Sequence, residues 1–121
     1  MDKKFLYEQK AQIFKALANP VRLEIIDFLA DGEKCVCEIA DALHYEQPHI
    51  SKSLLKLKEA GLIGQRKEGL NVYYSLQFGC MREFLHCLDT ALSEKSLQET
   101  KAPRAVNFLC KRKTKNFFEN K

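Results

Sequence analysis

Cys35-Val36-Cys37 gathers the most reactive side chains of this sequence into three residues. Two soft thiolates two residues apart form a chelate for soft, thiophilic ions. The competing reading makes both cysteines small buried hydrophobes on a core helix. Gln47, His49, Ser51 and Lys52 are a second group, the polar side chains that read nucleic acid. Gln pairs bidentately with adenine, Ser and His donate or accept, and Lys reaches guanine or phosphate. Arg66 and Lys67 add two adjacent cations, and Cys80, Cys87 and Cys110 supply further thiols. Catalysis has no comparable constellation: there is no Ser/His/Asp set, phosphate loop or pair of carboxylates at a useful spacing. Neighbours on a helix, such as His86 and Cys87, point about 100° apart and cannot act as base and nucleophile. The chain therefore reads as a non-enzyme without an organic cofactor.

The 121 residues must position these groups within one domain, and 45% hydrophobic with 30% charged residues is enough for a small core. A core of this size leaves stability dependent on a partner subunit. The net charge of +4 is uneven, because residues 101 to 121 carry seven Lys and Arg against Glu119 alone. A basic tail on a slightly acidic body suits a polyanion, and equally suits a solvated terminus. Residues 1 to 96 are expected to form the folded domain and 97 to 121 the tail. Met1 to Lys10 is too polar for a signal peptide and no apolar run spans a bilayer, so the expected location is the cytoplasm, with no membrane partner. Five cysteines in that compartment stay reduced.

Helical periodicity runs through Glu8 to Leu17 and Pro20 to Leu29, with Pro20 in a first turn and Asp31-Gly32 as a stop. A short helix over Cys35 to Leu43 and a break at His44 to Gln47 come next. A longer helix begins near Pro48 and runs to Ala60, with Ile50, Leu54, Leu55 and Leu57 inward and Gly61 closing it. Beyond Gly61 the residues alternate around a Lys67-Glu68-Gly69 turn, which predicts a two-stranded hairpin. A last helix over Phe78 to Glu94 carries Phe78, Met81, Leu85, Leu88 and Leu92 in steps of three and four. That is the spacing of a seam between helices, here either within one subunit or, better suited to a small domain, across a homodimer.

Two short helices joined by a tight turn, the second the longer, followed by a hairpin, describe a winged helix-turn-helix, mainly α with a β-hairpin wing. A recognition helix presents its N-terminal residues to the major groove, here Gln47, His49, Ser51 and Lys52. The segments Ala18 to Arg22, Cys35 to Ala40, Gln47 to Lys52, Leu57 to Ile63 and Tyr73 to Leu76, in this order, resemble the ArsR/SmtB family of metal-responsive repressors over about residues 11 to 95. The resemblance implies a homodimer that binds double-stranded operator DNA without metal and releases it when metal binds. It also gives Arg66 and Lys67 the place of wing residues on phosphate or in the minor groove. Glu46 stands where family members often have a small hydroxyl residue, and its carboxylate is left out of the contacts because it would repel phosphate.

Cys-Val-Cys followed by an acidic residue is similar to the family's arsenite and antimonite sensors, which implies arsenite or antimonite as inducer. Arsenite takes three thiolates, yet Ala40 stands where some members have their third cysteine. Cys80 or Cys87, water or a small thiol can close the site. The segment before Phe14 lacks the thiolates of the cadmium and lead sensors, and His86 with Asp89 is too little for a zinc or nickel site. On an ideal helix Cys35 and Cys37 point about 200° apart, so binding one ion is expected to unwind the first turn of their helix and to shift the recognition helix. A thiol redox or persulfide switch on the same DNA-binding body is the alternative. Cys80 and Cys87 lie about 10.5 Å apart along one helix, so such a switch would pair them across the dimer.

Overall fold

The computed structural model describes residues 2–98, with side-chain surroundings as far as 94. It contains α1 (Lys3–Leu17), α2 (Pro20–Leu29), β1 (Lys34–Cys35), α3 (Val36–Leu43), α4 (Gln47–Glu59), β2 (Ile63–Glu68), β3 (Asn71–Leu76) and α5 (Met81–Gln98). The chain divides into two compact units, Met1–Gly79 and Cys80–Lys121.

In the first unit, α1 starts five residues earlier than the apolar spacing predicts. Lys3 to Tyr7 adds no buried face but consists mostly of good helix formers, so propensity extends what periodicity cannot mark. The chain then turns at Ala18 into Asn19, whose side-chain oxygen accepts from the N–H groups of Val21 (2.9 Å) and Arg22 (3.2 Å). With Pro20 at the first helical position, this cap satisfies donors that α2 cannot use internally. Asn19→Ala should lower stability by about 1 kcal/mol, measured by urea unfolding; an unchanged midpoint would show that water caps α2 equally well.

Ile25, Ile26 and Leu29 of α2, Ile39 of α3, Ile50, Leu54 and Leu57 of α4, and Leu62 form the core. The inward face of α4 is Ile50, Ser53, Leu54 and Leu57, and the expectation for Leu55 is corrected: it is exposed. Leu55 lies one residue past Leu54, about 100° around the helix, and leaves the buried stripe. α4 ends in a paired cap, with Leu62 N–H donating to the Leu57 carbonyl and Gly61 N–H to that of Lys58. Gly61 adopts φ +81°, the left-handed conformation this motif needs.

β2 and β3 pair antiparallel from Ile63↔Leu76 to Glu68↔Asn71. The turn is Gly69-Leu70 rather than Lys67-Glu68-Gly69; Gly69 takes φ +64° at the first loop position, so Lys67 and Glu68 remain in the strand. The sheet has a third strand that the alternation did not reveal, because β1 pairs with β3 through Lys34↔Tyr74 and Cys35↔Tyr73. With α3 and α4 forming the helix-turn-helix and β2–β3 the wing, the first unit has the expected winged helix-turn-helix architecture.

The second unit contains α5, which begins at Met81 and reaches Gln98. Phe78 precedes the helix, so the predicted stripe loses its first member as a helical residue. Met81 is buried, Leu85 half-buried, and Leu88 and Leu92 are exposed. Apart from Leu97 and Gln98, which continue α5, the basic tail lies outside the described residues, as does Cys110.

Candidate functional site

Cys35 is both the last residue of β1 and the cap of α3, with extended backbone (φ −92°, ψ 168°). It is therefore not helical, which corrects the expectation that both thiols leave one helix some 200° apart. One sulfur comes from an extended residue and the other from the first turn of α3, so the argument for unwinding that turn does not apply. Cys35 and Glu38 form a reciprocal capping box, the Cys35 N–H donating to Glu38 Oε1 at 3.0 Å. That bond, the Cys35 thiol and nearby Lys34 hold the Glu38 carboxyl below its ordinary range. The sequence signal was present, since a capping residue with Glu three positions later is a helix-start signature, here with a thiol in place of the usual hydroxyl.

Cys37 is exposed, and its Sγ accepts a hydrogen bond from Nε2 of Gln47, the first residue of α4, at 3.6 Å. The two residues line an open groove of about 620 Å³ together with Glu38, Ala40, Asp41, His44 and Tyr45. His44 ends α3 in the left-handed conformation (φ +64°), which turns the chain sharply into α4. Tyr45 fixes that turn: its hydroxyl donates to Glu24 of α2 at 2.7 Å and its ring meets the His49 ring edge-on at 5.3 Å. The hydrogen bond to the Glu24 carboxylate pushes the Tyr45 hydroxyl above its ordinary range. Among the described residues no three His, Cys, Asp or Glu side chains come together as a metal-binding set. Cys80 and Cys87 are exposed and belong to the second unit.

Gln47, His49, Ser51 and Lys52 are all exposed on the first turns of α4. Arg66 is more constrained than its place on the wing suggested. Its guanidinium pairs with Glu33 and, at 2.5 Å, with Glu68, and it lies 5.1 Å over the Tyr73 ring. Arg66 in turn holds the Glu33 carboxyl below its usual range. Residues 33 positions apart leave no mark of such pairing in the sequence, and only the fold brings Glu33 to Arg66. Lys67 beside it is exposed.

The model of the bacterial regulatory protein arsR family matches residues 19–64. A helix-turn-helix transcriptional regulator of Methanocaldococcus jannaschii is 43% identical over 84 residues, covering 69% of this chain and 94% of that protein. The chain belongs to the arsR family. The arsenical resistance operon repressor of Escherichia coli is 47% identical over 66 residues, covering 54% of this chain, which spans about half of that relative's length (56%). Among solved structures, a homodimeric winged helix-turn-helix DNA-binding domain from Mycobacterium bovis superposes with a TM-score of 0.68 at 36% identity, over 78% of this chain and 88% of that one. In this arsR-family chain the matched segment runs from the cap of α2 to the start of β2. It contains both cysteines of the Cys-Val-Cys stretch and all of α4, and stops short of the wing tip and α5. No helix among the described residues is long and apolar enough to cross a membrane.

Proposed function

We propose that this chain is a cytoplasmic, non-catalytic repressor that binds double-stranded operator DNA as a homodimer and releases it when Cys35 and Cys37 take up arsenite or antimonite. The observation that carries this reading is the position of the two thiols between both DNA-binding elements. Cys35 stands in register with Tyr73 in the wing sheet, and Cys37 is hydrogen-bonded to the first residue of α4. Soft thiolates suit a thiophilic metalloid, and each As–S bond formed on arsenite consumes one thiol and releases one water. Cys80 or Cys87 is proposed as a third ligand. Any change in the backbone at Cys35 or Cys37 then reaches the wing and the recognition helix together, and by linkage DNA weakens inducer binding by the same factor.

Gln47, His49, Ser51 and Lys52 are proposed to enter the major groove, with Arg66 and Lys67 on phosphate. Residues 1 to 96 serve DNA binding and dimerisation, and the basic tail from 97 adds contact with the polyanion. The homodimer contact is proposed to use Phe78 together with Met81, Leu85, Leu88 and Leu92 of α5, of which Leu88 and Leu92 are 48% and 52% exposed. The Mycobacterium bovis neighbour is described as homodimeric.

Fluorescence anisotropy of the reduced protein on DNA from upstream of its own gene tests the reading. Near-stoichiometric arsenite should release the DNA in excess reductant, and a complex that arsenite leaves intact would sink it. Lys52→Ala should weaken binding and reduce the salt slope by about one; an unchanged slope removes Lys52 from the phosphate contacts. Glu33→Gln should tighten low-salt binding by about two- to fivefold, since phosphate would no longer compete with Glu33 for Arg66. Equal affinity in the two proteins would take Arg66 off the DNA.

A further inference from the structure

We infer that Gln47 is a positioning residue that carries the state of the Cys37 sulfur into base recognition by α4. The inference rests on the reading of α4 as the DNA-reading helix and of Cys37 as an inducer ligand. A glutamine amide has two N–H donors and one carbonyl. Reading adenine bidentately uses one N–H and the carbonyl. Cys37 Sγ occupies an N–H of Gln47 at 3.6 Å, which leaves the second N–H and the carbonyl, the pair adenine requires. The sulfur thus holds the amide in one orientation before DNA arrives, and the ordering of a long, rotamer-rich side chain need not be supplied on binding.

The start of α4 has few other anchors of this kind. Glu46 occupies the cap position but its side chain makes no capping bond, and Pro48 lacks an N–H. The Tyr45–His49 ring contact braces the next residue along, on the side of the turn facing Glu24. The bond from Gln47 to Cys37 links α4 directly to α3 at the groove between them. When the Cys37 S–H bond is exchanged for a bond to an inducer, the sulfur keeps two lone pairs but its new substituent turns them away from the amide, so Gln47 loses its aligned acceptor and returns to a mixture of rotamers. α4 then meets the operator without its oriented adenine reader, and no rearrangement of the core is needed.

A double-mutant cycle on DNA affinity without any metal tests the contact by itself. Cys37→Ala should weaken operator binding by about three- to tenfold, the range for one hydrogen bond. In a Gln47→Met background, where the donor is already gone, the same change should cost less than about twofold. Cys37→Ser, which keeps an acceptor, should restore most of the parent affinity. Additive losses in the cycle would overturn the inference. Arsenite titrations form a second arm. Gln47→Met should take up arsenite like the parent, followed by thiolate absorbance, yet lose most of the arsenite-driven weakening of DNA binding. Ser51→Ala, with a lower DNA affinity of its own, should keep the parent's full weakening. If Gln47→Met is released as readily as Ser51→Ala, the relay fails while the inducer reading stands. If the cycle is coupled but arsenite leaves every complex intact, the inducer reading fails and the positioning role of Cys37 stands.

Discussion

Cys35→Ser should bind operator DNA with the affinity of the parent and should no longer respond to arsenite at concentrations up to about a hundred times those expected to release the parent. One of two soft donors is replaced by a hydroxyl, which is neither deprotonated near neutral pH nor matched to a thiophilic centre. The fold should not suffer, and the reason is the position of the residue. Cys35 caps α3 with Glu38 three residues on, and serine is a preferred residue at that position with glutamate as its capping-box partner. The variant separates sensing from folding more cleanly than alanine would. Anisotropy with and without arsenite, alongside a thermal melt, reads both properties. Release of the Cys35→Ser complex at the parent's arsenite concentration would move the inducer to other thiols.

The second large effect concerns stability. Ile50 is fully buried on the first turns of α4, so Ile50→Ala should cost about 2 to 5 kcal/mol from lost burial and the cavity left behind. For a domain near this size, each kcal/mol moves the melting temperature by roughly 4 to 8 °C, so the drop should be about 8 °C or more. Leu55→Ala, on the same helix but 54% exposed, should stay within about 1 kcal/mol of the parent. Both melts belong at one protein concentration, because a dimer's melting temperature depends on it. Equal losses at the two positions would mean that the exposed face of α4 is covered in the assembled protein.

Leu55 also shows where reading by periodicity stops. Leu54, Leu55 and Leu57 are equally apolar, and only the 100° step between neighbours decides that Leu55 faces out while Ser53 takes an inward place. The long, capped elements were readable for physical reasons: Asn19-Pro20 marks the start of α2, Gly61 the end of α4, and alternation the paired strands. β1 could not be read this way, since two residues carry no period and pair only because β3 is beside them. The turn at Gly69-Leu70 was obscured by a fully exposed leucine at its tip. The same division applies to the site. Its thiols and its polar helix start were visible as residue types, while the pairs Gln47–Cys37 and Arg66–Glu33 depend on the path of the chain between them.

The two-residue strand also decides which way the Cys35 thiol is presented. Lys34 and Cys35 sit opposite Tyr74 and Tyr73, and successive residues of a strand point to opposite faces. A single residue inserted or removed between Gly32 and Lys34 that slips this pairing by one place would exchange the faces of lysine and thiol and, because Cys35 also caps α3, would shift the start of that helix with it. The direction of the Cys35 thiol is thus tied to the length of a surface turn, a segment that tolerates insertion and deletion far better than a core does. An indel in that turn could therefore redirect the thiol without replacing a single side chain of the Cys-Val-Cys stretch.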